Sequence, residues 1–373
     1  MENRMSNPQP KPFVSGMVFP IPTIGAIRIG EAVERNGKRL PNKTDYFTIT
    51  SLAKRQGKWV DHPVIRKLQP DNESVTQGEC QQGAAESTAQ KKLRAIPVRM
   101  LTNSPDLILR ARYEAMHRTQ GNIACAGDGE TAKRRMQDGS IEEVECRGPD
   151  HCSFAKAAEH PCRFFGRLNV QIEGQDDTSS TFILRTSSVN TLRTLYSKLW
   201  AFHARYGGLL RGIPFMLRLR GKSTPKSFGS IFYFVDLTLA DGVTDIDAIK
   251  AARELASLEA EVGLNQAAFE QSLREGLAAG AFEDTPEDML QNEDFLLEDA
   301  EDGGVVEVDL EEQASLLMDL QRGRERFNQL VEKQQMPKTE EAKQPLTRQA
   351  DTSPVREAAA LLHEDAPDMF GIA

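Results

Sequence analysis

The chain is poor in the residues from which large cores and catalytic centres are usually built. Of its 373 residues only 6% are aromatic, with 2 tryptophans, and it holds 6 histidines and 5 cysteines. No apolar run approaches the roughly 18 residues of a membrane span, and residues 1–11 carry charges with no apolar h-region behind them. This excludes a helical membrane protein and predicts a soluble, cytoplasmic one. With 39% hydrophobic and 27% charged residues, the composition predicts one core plus long solvated segments rather than two large cores. Walker A, H-E-x-x-H and G-x-S-x-G patterns are all missing, and the histidines do not pair at metal-ligand spacing, so no enzyme is expected. His117 reads as a helix-surface residue rather than a base. The acidic pairs Glu283-Asp284 and Glu287-Asp288 could hold Mg²⁺ as in a nuclease, but without a surrounding core they read as solvated.

What is present is a division of charge. The formal net charge is −9, yet residues 1–240 carry 35 Lys+Arg against 23 Asp+Glu (+12), while residues 241–373 carry 11 against 32 (−21). A basic body with an acidic extension is the layout of a nucleic-acid binder with a partner-contacting or self-screening tail. The plainer alternative is an acidic solubility tail on an ordinary surface.

Periodicity predicts an α+β fold with a mainly antiparallel sheet. Ile24, Ile27 and Ile29 alternate in a strand over 22–30, followed by a hairpin-type turn at Asn36-Gly37. Residues 46–51 are β-formers. Residues 70–90, which include Cys80, have almost nothing to bury and read as a surface loop or disordered insert. Residues 93–101 form a strand whose Pro97 suggests a sheet edge. Residues 167–172 and 182–186 form two strands joined by a polar turn. Ser188 then caps a helix with Val189, Leu192, Leu195, Leu199 and Phe202 on one face, stopped by Gly207-Gly208. Period two returns over 213–220 and 231–239, and helical patterns follow over 246–277 and 310–333. The predicted organisation is a disordered N-terminus (1–15), a basic α+β nucleic-acid-binding core (16–240) with a metal module at about 121–165, an acidic helical region (241–334), and a disordered linker and acidic tail (335–373).

Cys125, Cys146, Cys152 and Cys162 follow the spacing C-x20-C-x5-C-x9-C. In a reducing compartment clustered thiols point to metal ligation, and Zn²⁺ takes four thiolates in a tetrahedron. Gly- and Pro-rich turns at 126–129, 147–149 and 160–161 allow short loops to wrap an ion, and the segment has few aliphatic residues to hold it otherwise. His151 or His160 replacing one cysteine, or an iron–sulfur cluster, are the alternatives, and Cys80 is read as a free thiol. Candidate nucleic-acid contacts are Lys133, Arg134 and Arg135 within this module, then Arg218 and Arg220 on the outer face of a strand, with Lys222, Lys226 and Phe228 in the following loop. There a phosphate backbone could be tracked while the ring stacks on a base. A charged outer face with Phe228 tucked inward is the competing reading. Near the C-terminus, Asp368, Met369 and Phe370 resemble the partner-recruiting acidic tips of bacterial single-strand-binding proteins, although three residues follow the ring here.

The segments Pro22-Thr-Ile-Gly-Ala-Ile-Arg-Ile-Gly30, Asn36-Gly-Lys-Arg-Leu-Pro41 and Asp45-Tyr-Phe-Thr-Ile-Thr-Ser51 resemble the opening of phage and mobile-element recombination directionality factors associated with large serine integrases. The four cysteines, Arg185-Thr-Ser-Ser188 before a helix, and Gly207-Gly-Leu-Leu-Arg-Gly-Ile-Pro214 extend the likeness over about residues 16–240. The resemblance implies a DNA- and recombinase-associated accessory protein, with no catalytic residues to carry over. A single-stranded-DNA-binding or annealing helper is the second reading and a metal-dependent hydrolase the third.

Overall fold

Alternating side chains make a sheet the largest element of this fold among the described residues. The computed structural model describes residues 17–35, 38–42, 44–68, 92–117, 121–156, 162–223 and 231–283. Its strands are β1 (Thr23–Arg28), β2 (Glu31–Arg35), β3 (Lys38–Asn42), β4 (Thr48–Arg55), β5 (Lys58–Asp61), β6 (Ala95–Arg99), β7 (Leu109–Met116), β8 (Ile123–Gly127), β9 (Thr131–Arg135), β10 (Ile141–Glu145), β11 (Cys162–Ile172), β12 (Thr181–Thr186), β13 (Phe215–Lys222) and β14 (Phe232–Leu239). The helices are α1 (Val64–Leu68), α2 (Pro105–Ile108), α3 (Gly148–His151), α4 (Val189–Arg205), α5 (Asp245–Glu261) and α6 (Gln266–Ala278). The fold is α+β. Twelve strands share one sheet in the order β10-β9-β8-β7-β11-β12-β1-β4-β5, with β6, β13 and β14 branching from β11. Every pairing is antiparallel except β1 with β12. β2 and β3 form a separate hairpin.

The long strand β11 holds the two parts of the sheet together. Its first seven residues pair with β7, its middle pairs with β12, and Gln171 and Ile172 pair with β6. One face of this frame receives α4, which Ser188 caps by accepting from the Thr191 N–H at 3.4 Å. Of the predicted stripe, Val189, Leu192, Leu195 and Leu199 are buried and Phe202 half-buried, each buried side chain contributing roughly 1.5–3 kcal/mol by leaving water. Gly166 on β11 sets how close the helix comes: a Cβ there would lie 2.2 Å from Leu192 Cδ2. Ala248 and Ala252 of α5 enter the same core, behind a Thr244–Asp247 capping box. Leu273 of α6 packs with Ile21, Leu101 and Leu107. Glu270 of α6 accepts from Asn103 N at 2.6 Å and from Ser104 Oγ, so α6 is tied to the loop before α2. Among the described residues no helix is long and apolar enough to cross a membrane.

Three expectations are overturned. Pro97 does not mark an edge, because β6 pairs on both sides, with β11 and β13. Its carbonyl accepts from Glu173 N at 3.0 Å just past the end of β11. The nitrogen of the same residue points that way too, just past the last pairing of β11 with β6, Ile172 with Val98. The stretch leading to His117 is strand β7 and not a helix. Its helix-forming residues are overridden by pairing on both sides, with Arg112 and Glu114 on one face and Tyr113 and Ala115 on the other. Glu283 is not solvated: its side chain is only 10% exposed and sits against Arg110 and Arg112.

The N-terminal segment 1–15, the turn at Asn36-Gly37, the insert with Cys80, His160, the loop with Lys226 and Phe228, and everything after Glu283, including the acidic tip Asp368, Met369 and Phe370, lie outside the described residues.

Candidate metal centre

Register brings the four cysteines to one place. Cys162 begins β11 opposite Ala115 of β7, and Ala115 is in turn opposite Cys125 of β8. Side chains directly across a sheet share a face, so these two thiols flank Ala115 on one surface. Cys146 follows β10, held by its N–H donating to Glu130 O at 2.8 Å, and Cys152 follows the short α3. All four thiols are free and line one cavity with Tyr113, Arg134 and Phe154. The cavity volume is about 20 Å³, room for one water-sized occupant and too little for a small-molecule substrate. Gly127 keeps it open, since a Cβ there would lie 2.8 Å from Cys146 Sγ and 2.7 Å from Thr131 O.

The electrostatics of this pocket are those of crowded thiols. Burial raises the Cys125 pKa, opposed in part by a hydrogen bond and charge from Arg134, with Cys146 and Cys152 pushing further up. Cys162 is raised well above the usual thiol range by burial and then by the other three cysteines. Tyr113 is pushed up to about 12 by burial, Asp150 and two of the thiols. Arg134 is the cation at the rim. Its guanidinium lies 4.4 Å over the Phe154 ring, and it donates to Cys152 Sγ at 3.7 Å. The donor set and the cavity size suit a single soft, four-coordinate ion. Among the described residues no group of three or more His, Cys, Asp and Glu is already closed into a metal-holding arrangement; the geometry provides convergence on one cavity, not a finished tetrahedron. His151 is exposed and does not line that cavity.

The cations singled out in the sequence take up varied positions. On β9, Lys133 and Arg134 stand opposite Glu143 and Glu142 of β10. Arg134 faces the thiol cavity, whereas Lys133 and Arg135 are on the other face, the Arg135 guanidinium 5.2 Å from the centre of the Phe282 ring. On β13, Arg218 donates to Thr238 Oγ1 at 3.1 Å and to Asp241 at 2.5 Å, and Arg220 donates to Asp236 at 2.6 Å. Lys222 is exposed.

Sequence reasoning missed a second cluster, on the sheet face opposite the thiols. Arg110 Nε donates to Glu283 at 2.9 Å and Arg112 donates to its other oxygen, while Arg110 also reaches Asn169 at 2.9 Å. Burial by itself would raise the Glu283 pKa, but the charges of Arg110, Arg112 and Arg167 outweigh it and hold it at about 2. Phe282 packs beside it on Ile123 and Ala126. Next in the band, Arg167, 2% exposed, forms a two-pronged pair with Glu114, one arm at 2.8 Å. No local pattern in the sequence signals these pairs, which join residues more than fifty positions apart.

A protein-family model described as Gp3-like, recombination directionality factor-like, matches residues 24–240. That span runs from β1 to the end of β14 and includes all four cysteines. Comparison with curated proteins and with solved structures gives no match.

Proposed function

The chain belongs to the Gp3-like, recombination directionality factor-like family, and on that premise we propose that it is a zinc-braced accessory factor acting on a DNA-bound large serine integrase. The observation that carries the metal part is the convergence of Cys125, Cys146, Cys152 and Cys162 on one ion-sized cavity. These four thiolates would hold Zn²⁺, whose role here is structural: structural zinc sites contribute roughly 10–16 kcal/mol of apparent binding energy. The module of β8, β9, β10 and α3 contributes few of the fully buried side chains of the main core, so a brace suits it.

The factor has no chemistry of its own in this reading. It works by binding one arrangement of the integrase–DNA complex better than another. Taking such an equilibrium from 1:99 to 99:1 needs a preference of about 10⁴-fold, or about 5.5 kcal/mol, which a moderate protein interface can supply. The test is recombination in vitro with the integrase encoded on the same element. Adding the full chain should permit attL by attR recombination and inhibit attP by attB. If neither reaction changes while the protein anneals or coats single strands, the single-strand helper reading replaces this one.

A further inference from the structure

The β4–β5 hairpin carries a cationic tip that the metal centre does not use. Gln56 and Gly57 form its two-residue turn with φ of 51° and 76°, the left-handed pair that matches the twist of a hairpin. The register puts Arg55 directly opposite Lys58 and Lys54 directly opposite Trp59. Arg55 and Lys58 are both exposed. Like charges directly opposite across a strand pair destabilise it.

Several other cations at the surface are answered by carboxylates: Lys92 and Arg94 by Asp45, Arg99 by Glu173, Arg205 by Asp245. Arg55 and Lys58 have no carboxylate partner among the described residues. Behind them the hairpin is stiffened. The Trp59 ring lies under the Arg28 guanidinium at 4.0 Å and the Lys54 ammonium at 4.6 Å, and Arg28 is itself bonded to Thr50 Oγ1 at 3.2 Å. β5 ends the strand path, with β4 as its neighbour. Edge protection accounts for a lysine on an outer strand, but not for an arginine facing it on the inner one.

We propose that this hairpin is a wing that lies on the DNA backbone, with Arg55 and Lys58 each contacting a phosphate so that the anions relieve the repulsion between them. A duplex backbone suits the tip because contacts of this kind position a protein without reading bases. The large exposed apolar side chains, such as Leu258, Val262 and Leu264, lie on other elements, which leaves the tip without the apolar wedge a membrane or a hydrophobic groove would use. The proposal rests on the reading that the chain works at a recombination site.

The test compares the full chain with Arg55→Gln/Lys58→Gln on att-site duplex, with and without integrase, across a salt series. Two lost phosphate contacts should lower the slope of log K against log salt by about 1.8, equivalent to about 60-fold weaker binding at 0.1 M salt. The double variant should melt no lower than the parent, because the like-charge opposition is gone. Unchanged slope and affinity would overturn the wing. So would a loss of integrase binding without DNA, which would make the tip a protein contact. Retained attL by attR stimulation by the parent chain alongside either result shows that the wing alone has failed, whereas absent stimulation by the parent chain fails the directionality reading separately.

Discussion

Replacing Glu283 by glutamine tests whether the chain after α6 is held to the sheet by charge. The carboxylate is held at about 2 against an ordinary 4.5, and each tenfold change in proton affinity is worth about 1.36 kcal/mol. Because the folded pKa is depressed, the contribution is fully present above the unfolded value and disappears as pH falls from about 4.5 through about 2. Linkage then gives about 3 kcal/mol at pH 7 and less than half of that at pH 3. Arg110 and Arg112 are 13% and 24% exposed, and leaving a buried charge without its partner costs roughly 3–5 kcal/mol, which agrees with the first figure. Urea unfolding of the parent and Glu283→Gln should therefore differ by about 3 kcal/mol at pH 7, with the gap narrowing by more than half at pH 3. Equal stability at pH 7 would refute the electrostatic account. A gap that stays constant with pH would show that the carboxylate acts by shape instead.

Purified protein should contain one zinc per chain, and Cys146→Ser or Cys152→Ser should lower both metal content and melting temperature in elemental analysis and thermal scans; an unchanged, metal-free protein would remove the brace. Gly166→Ala should destabilise by about 1–3 kcal/mol, since a methyl group placed against Leu192 overpacks the α4 interface, measurable by denaturant midpoint. A chain ending after Glu283 should bind DNA more tightly than the full chain at low salt, because the −21 of residues 241–373 falls mostly beyond that point and competes for the basic body. Ending the chain at Ala240 should instead unfold it, as this removes Ala248, Ala252 and Leu273 from their cores.

The legible parts of this fold are those set by local pattern. The α4 stripe and its Ser188 cap and the alternation in β1 and β13 describe what the structure places there. Long-range pairing is what the pattern hides. Residues 112–116 are helix formers by propensity, and only β8 and β11 on either side make them a strand. Cys162 looks like part of a loop after Pro161, yet it opens the longest strand. Glu283 stands among so many acids that composition argues for solvent, and the two arginines that bury it lie over 170 residues earlier. At the β4–β5 hairpin the β-forming run ends at Ser51 while the strand continues to Arg55. The turn is Gln-Gly and not the Asn-Gly or Asp-Gly that announces such a hairpin.

The single parallel pairing has a consequence for how the molecule is made. β1 lies between β4 and β12, and Thr23 is paired with Thr181, while just before β1 the Phe19 N–H donates to Gly276 O at 2.9 Å. During synthesis β1 leaves the ribosome early but cannot be seated on both sides until β12 has emerged, and its leading segment must wait for α6. Closing loops of that length is slow, so β1 with its apolar Ile24 and Ile27 stays open to other chains for much of translation. Among the described strands the earliest in the sequence is thus among the last to be locked in, and its interior position between β12 and β4 is where a stalled chain is most exposed to aggregation.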